Sequence, residues 1–515
     1  MKLSTFLTLA ATSAIATGAV VWVSIDPAQG ARGTATTPEP GTDQPGPGAA
    51  KAPPPPDVDR SHFTAGKTLM MEGRLGHPVL PADSDSETFL FVDVSADAGR
   101  TAARVPLNLS IVVDKSGSMK GKRLSNALAA TRKAVERLRD GDIVSLVAYD
   151  TSAQVLLSPT VIDATSRARI LDRLSLPRAG NDTCISCGID AGMRLLGQRP
   201  GMVSRILLLS DGLATAGIRD LPGFKRQAED CRRMGASITT IGVDVDYDEK
   251  LMSALARDSN GGHYFVARAD GLPEIFDKEM SSLTRTVANS AELVVDLAPG
   301  VFADQVFDRV TVGTGTQTII PMGAFSAGEH KTALVRLRVP RGAAGERPVA
   351  AVRLRYDDLV DQKPGQCEGA VSAIATADTS KLSPLDGVVS ARVSASETAA
   401  TLEQANEMFR SGRSIDASNL LRQRARAVSQ QGWKAKKDIS SSVNNPFGGG
   451  GRSAGAVGAD LGAATASFDK QTEVLDRAAK GFEPTTPTAA PPASTSGEGK
   501  FNVRNAQADA LEVSK

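Results

Sequence analysis

Ile111, Val112 and Val113 form a short β-branched run that suits a strand buried on both faces, and the run stops on a charge, Asp114. The arrangement recurs twice. An apolar strand at 205–209 leads into Ser210, Asp211 and Gly212, and another at 237–243 stops on Asp244. Amphipathic helices are expected around them at 123–138, 167–174, 183–197, 224–234, 250–257 and 273–283, with further strands at 143–149, 155–157 and 263–266. Strand and helix in alternation require a parallel sheet covered on both faces. The fold class is therefore α/β, a doubly wound and mostly parallel sheet. Its polar strand ends gather at the carboxyl edge, where open α/β sheets hold their ligands.

The turn after Asp114 also offers Ser116 and Ser118, so one segment presents a carboxylate and two hydroxyls. Hard oxygen donors of this kind suit Mg²⁺ or Mn²⁺ and match zinc or copper poorly. Asp, Ser and Gly are also ordinary turn residues after a strand, and this segment does not establish a metal site by itself. Two more segments bear on it: the polar loop that carries Thr183 into an apolar helix, and Ser210-Asp211-Gly212. With those three segments in that order, the chain resembles the von Willebrand factor type A domain and its metal-ion-dependent adhesion site. The resemblance covers about 103–285 and implies a Rossmann-like fold. It further implies that Asp114, Ser116, Ser118, Thr183 and Asp211 bind the ion, the hydroxyls closely and the aspartates directly or through water. In the family, a Glu or Asp side chain of a partner protein completes the coordination.

Residues 1–26, with Lys2 followed by an uncharged apolar stretch, read as a secretory signal peptide or an uncleaved signal anchor, which places the protein in the periplasm, cell envelope or outside the cell. Residues 27–58 are a Pro-rich spacer. On either side of the α/β domain, 59–102 and 286–380 alternate apolar and polar residues, as half-buried antiparallel strands do. Strands are expected at 67–72, 88–94, 292–297, 309–312, 318–321, 331–339, 348–356 and 370–375. We read these flanks as one β-sandwich in which the α/β domain is inserted, an arrangement similar to bacterial secreted proteins of this type. Residues 395–432 form a helical hairpin, similar to one tetratricopeptide unit, and 438–515 are a low-complexity, mostly disordered tail with a helix expected only at 460–480.

A net charge of +1 argues against nucleic acid or an anionic membrane as the dominant partner. No His-Glu-x-x-His occurs, so a zinc protease of that kind has no support. An ion held mostly by hydroxyls keeps an appetite for another anionic oxygen, whereas hydrolysis would need a base and a pocket. Asp244, Asp246 and Asp248 read more simply as a solvated acidic loop, and no enzymatic activity is expected. Two functions stand: an exported module that binds or adheres to a partner protein through its metal, or a cell-envelope scaffold or assembly factor whose metal domain is structural. Cys184 and Cys187 flank the start of the helix after Thr183, either as small buried packing residues or, in an oxidising compartment, as a disulfide.

Overall fold

The computed structural model describes residues 60–100, 105–175, 178–313, 316–443, 454–483 and 492–514. The expected signal segment, 1–26, and the Pro-rich spacer, 27–58, lie outside the described residues. The chain first lays down four strands, β1 (His62–Gly66), β2 (Leu69–Leu75), β3 (Val79–Pro81) and β4 (Ser86–Ala96). The α/β domain follows: β5 (Leu107–Asp114), α1 (Lys122–Arg137), β6 (Ile143–Tyr149), β7 (Ala153–Val161), α2 (Ala164–Arg173), α3 (Ile185–Leu196), β8 (Val203–Ser210), α4 (Leu221–Arg233), β9 (Ala236–Val243), α5 (Glu249–Asp258), β10 (His263–Val266) and α6 (Leu272–Leu283). Its six strands run in the order β10-β9-β8-β5-β6-β7. All neighbours are parallel except the edge strand β7, which is antiparallel to β6. Every residue of β5, β6 and β8 is buried, because helices cover both faces: α1 and α6 pack on one, α3, α4 and α5 on the other.

The chain then returns to β structure through β11 (Thr286–Leu297), β12 (Phe302–Phe307), β13 (Gln317–Ser326), β14 (His330–Val339), β15 (Gly345–Asp358) and β16 (Lys363–Thr376). Strands from before and after the α/β domain share two sheets, β1-β2-β4-β14-β12 and β13-β11-β15-β16-β3. Ten residue pairs join β4 to β14 in antiparallel register, from Ser86–Val339 to Ser95–His330. Ala333, Val335, Leu337 and Val339 of β14 face the core between the sheets. The strand expected at 309–312 is instead a loop with one bridge, Val312 to Ile319. Asp308, at φ 56°, turns the backbone there, and Arg309 donates from Nε to the Thr332 carbonyl at 2.9 Å.

Four helices complete the fold: α7 (Gly387–Arg410), α8 (Ser414–Val443), α9 (Ala454–Phe482) and α10 (Gly497–Val513). With lengths of 24 and 30 residues, α7 and α8 are too long for a tetratricopeptide unit, whose two helices share about 34 residues. The region 438–515 holds more helix than its composition predicts, since α9 overruns the expected 460–480 and α10 was not anticipated. Small apolar residues account for this: Ala464, Ala478, Ala479, Ala506 and Ala510 let the helices approach closely around Phe409, Phe468 and Phe482. Val389 of α7 packs on Phe89, Phe91 and Leu334 and covers the outer face of the first sheet. Arg74 of β2, only 5% exposed, reaches Asp460 of α9 at 3.2 Å.

Candidate metal centre

The chain leaves β5 for β6 on one side of the domain sheet and later enters β8 on the other, so the switch of direction falls between β5 and β8. A crevice at the carboxyl ends of such a pair is the usual ligand seat of an open α/β sheet. Asp114 is the last residue of β5, and Ser210 is the last of β8, with Asp211 next. Both carboxylates are fully buried.

Hydrogen bonds tie the predicted residues together. Asp114 accepts from the Ser116 amide at 2.8 Å through one oxygen and from Ser210 Oγ at 2.7 Å through the other. Ser116 Oγ and Ser118 Oγ stand 3.0 Å apart, and Ser118 Oγ donates to Asp211 at 2.7 Å. Thr183 joins from the remaining segment. A Cβ placed on Gly212 would lie 3.4 Å from Ser118 Oγ and 3.6 Å from Thr183 Oγ1, so the absent side chain leaves a cradle beside both hydroxyls. Ser118 alone of the five is exposed, which opens the cluster to solvent on that side.

The three segments are fixed by backbone contacts. Gly180 donates to the Lys115 carbonyl at 2.7 Å, Gly117 to the Asn181 carbonyl at 3.2 Å and Cys184 to the Asp150 carbonyl at 2.7 Å. Thr183 donates its amide to Thr215 Oγ1 at 2.8 Å, and its carbonyl accepts from Thr215 and Ala216. Cys184 and Cys187 are joined as a disulfide at the start of α3. Gly217 lies against it with φ 68°, where a Cβ would come within 2.5 Å of Cys184 Sγ, so the bond packs under the loop that follows Asp211.

Sequence reasoning missed the surrounding polar groups. Tyr149 lies beneath Asp114 and donates to the Leu209 carbonyl at 3.2 Å. Arg123, in the first turn of α1, donates to Asp211 at 3.2 Å and to the Ser118 carbonyl at 2.8 Å, and also pairs with Asp244. The acidic loop after β9 is thus not simply solvated. Asp246 pairs with Lys500 of α10 at 2.6 Å, and Asp248 caps α5 by accepting from the Leu251 amide at 3.1 Å. Glu249 takes Arg504 of α10 at 2.7 Å and also Arg410 of α7. The available signal was the density of charge at 244–250, but its ionic partners lie 121 or more residues away.

Burial pushes the Asp114 carboxyl up to about 6, with its hydrogen bonds to Ser116 and Ser210 pulling down and the charge of Asp211 pushing up. Burial likewise raises Asp211, against the pull of Ser118 and Arg123. A divalent cation beside two such carboxylates favours their charged forms. Three hydroxyls, two carboxylates and the Gly212 cradle fit a hard ion such as Mg²⁺ or Mn²⁺. Among the described residues no group of three His, Cys, Asp or Glu converges as a metal site, so an ion bound here would take most of its side-chain donors from hydroxyls.

The profile of the von Willebrand factor type A domain matches residues 108–278. Over 292 residues the chain is 23% identical to the uncharacterized protein sll0103 of Synechocystis, spanning 53% of this chain and 67% of that one. It is 25% identical to the uncharacterized protein YfbK of Escherichia coli over 47% of this chain and 42% of that one. A 168-residue stretch is 24% identical to human inter-alpha-trypsin inhibitor heavy chain H2, which it covers by only 17%. Among solved structures, von Willebrand factor type A from Catenulispora acidiphila superposes with a TM-score of 0.61 at 18% identity, over 79% of this chain and 98% of that one. The ArnB paralog VWA2 from Sulfolobus acidocaldarius gives 0.56 at 16%, over 87% and 100%. These likenesses speak for the fold. By sheet order, by covering helices and by the profile, the segment 108–278 is a von Willebrand factor type A domain.

Proposed function

We propose that this chain is an exported, non-catalytic binding protein whose von Willebrand factor type A domain holds Mg²⁺ or Mn²⁺ and uses it to capture an acidic side chain of a partner protein. The observation that supports this most directly is the convergence of Ser116, Ser118, Thr183, Asp114 and Asp211 at the switch point, buried except at Ser118. Asp114 is held on both oxygens, by the Ser116 amide and by Ser210 Oγ, which fixes the turn that carries Ser116 and Ser118. Bound there, the ion would supply a Lewis-acidic position for one more anionic oxygen. Domains of this type commonly mediate protein–protein interaction, and the exposed Leu213 beside the site offers a partner some apolar contact. Export rests on the apolar segment near the start of the sequence. Among the described residues no helix is long and apolar enough to cross a membrane.

The scaffold reading draws on α8, where Trp433 and Ile415 are 68% and 64% exposed. Affinity capture with the full chain, in Mg²⁺ and in chelator, separates the two. Partners lost in chelator and lost again with Asp114→Ala support metal-dependent capture. Partners retained under both conditions leave the domain a structural part of a scaffold.

A further inference from the structure

At the opposite end of β8 from Asp211, the α/β domain meets the sandwich around a cavity of about 210 Å³. Four cations line it, Arg205, Arg257, Arg309 and Lys331, against two carboxylates, Glu279 and Glu329. The carboxylates are engaged by closer donors. Glu279 accepts from Thr239 Oγ1 at 2.6 Å and Tyr264 OH at 2.9 Å, while Arg205 Nε stands off at 3.8 Å. Glu329 accepts from the Ser326 amide at 2.8 Å, with Lys331 at 3.6 Å.

The cations are correspondingly underused. Arg205 is 8% exposed, and its buried Nε has no hydrogen-bond partner. Arg309 spends Nε on the Thr332 carbonyl and forms no ion pair among the described residues. Lys331 donates to two carbonyls, those of Met322 and Ala324. Arg257 pairs through Nε with Asp258 at 3.0 Å, which leaves the open end of its guanidinium for another acceptor. Burial, opposed by Glu329 and helped by Arg309 and Arg205, pushes Lys331 down to about 8, and burial lowers Arg309 to about 10. Uncompensated positive charge in a buried seam is costly, and an anion relieves it.

We propose that this cavity is a binding site for a compact oxyanion of the phosphate class, held between Arg205 and Arg257 of the α/β domain and Arg309 and Lys331 of the sandwich. The size argues for a small ligand, since pockets for larger molecules run to about 300–1,000 Å³. Cations outnumber carboxylates around the cavity even with Asp258 set against Arg257, and guanidinium forks suit phosphate oxygens. Arg257 and Arg309 also line a wider cleft of about 520 Å³ against α7 and α10, which gives the ligand a way in. An anion there ties the two domains across their seam.

The test is thermal unfolding of the full chain in chelator, at constant ionic strength, titrated with inorganic phosphate against chloride. The melting temperature should rise with the logarithm of phosphate once the site fills. Arg309→Gln and, on the more exposed side, Arg257→Gln should each weaken the apparent affinity by about tenfold or more, the worth of a charged hydrogen bond. Asp114→Ala should leave the response intact, which separates this site from the metal centre. A phosphomonoester that competes shows that a terminal phosphoryl group is accepted; one that does not leaves the free anion as the ligand. The proposal is overturned if phosphate acts no differently from chloride, if succinate reproduces its effect, or if both arginine variants respond as wild type.

Discussion

Replacing Gly212 by Val tests the proposed metal centre without touching a proposed ligand. A Cβ at this position stands 3.4 Å from Ser118 Oγ and 3.6 Å from Thr183 Oγ1, which is ordinary contact. Two methyl groups reaching about 1.5 Å further enter the space that Mg²⁺ requires at about 2.1 Å from its oxygens. The added bulk costs roughly 1–3 kcal/mol of stability by itself. The informative quantity is therefore the difference between excess Mg²⁺ and chelator within each variant, measured by calorimetry on the full chain. An ion at about one hundred times its Kd stabilises the wild type by about 2.7 kcal/mol. For a unit of 150–250 residues that corresponds to roughly 5–10 °C. In Gly212→Val the difference should vanish, and in Ser118→Ala, which removes an oxygen without adding bulk, it should shrink. Should Gly212→Val keep the wild-type difference, the ion does not sit in this cradle. A wild type with no difference at all has no working site.

Glu249 is 5% exposed and pairs with Arg504 and Arg410, so Glu249→Gln leaves two cations facing each other and should cost about 3–5 kcal/mol in denaturant unfolding; a loss under about 1 kcal/mol would show that the pairs do not hold α7 and α10 to the domain. Glu72 is held down to about 2, first by the hydrogen bond from His62 and then by Arg74. A carboxylate depressed on folding stabilises above its unfolded pKa of 4.5 and loses that contribution as pH falls towards 2. With its side chain a third exposed, screening cuts the effect to about 1–2 kcal/mol, and the stability of Glu72→Gln should fall less steeply than wild type over that acid range. Cys231 and Cys367 are buried with thiols pushed up to about 12 and about 11, so neither should be alkylated in the native protein. Unfolding without reductant should expose these two thiols, and reduction should add Cys184 and Cys187; four thiols reacting before reduction would exclude the disulfide.

The α/β sheet was legible because its evidence is local. Apolar runs such as Ile111-Val112-Val113 have no polar face to offer water, so their burial follows from composition, and a charge at the strand end marks the edge of the sheet. Three of the candidate oxygen donors stood out for the same reason, since Asp114, Ser116 and Ser118 belong to one turn. The loop at 309–312 misled because its alternation is that of a strand, while the positive φ of Asp308 and the inward turn of Arg309 depend on Thr332 of another strand.

What the sequence determined by itself was thus the set of elements with a strong period and the hard-oxygen chemistry carried within single segments. Tertiary structure decided what those segments meet. It put the ends of β5 and β8 beside the switch point, brought the Gly212 cradle to Thr183 and set Arg123 between Asp211 and Asp244. It also made a packed bundle from a tail rich in Ala, Gly, Ser and Thr. Alanine is compatible with a helix or with a disordered chain, and only apolar faces supplied by α7 and α8 make ordering α9 and α10 favourable. The basic seam at Arg205 and Lys331 was invisible in the sequence for a related reason: an isolated Arg or Lys reads as solvated surface until the fold buries it.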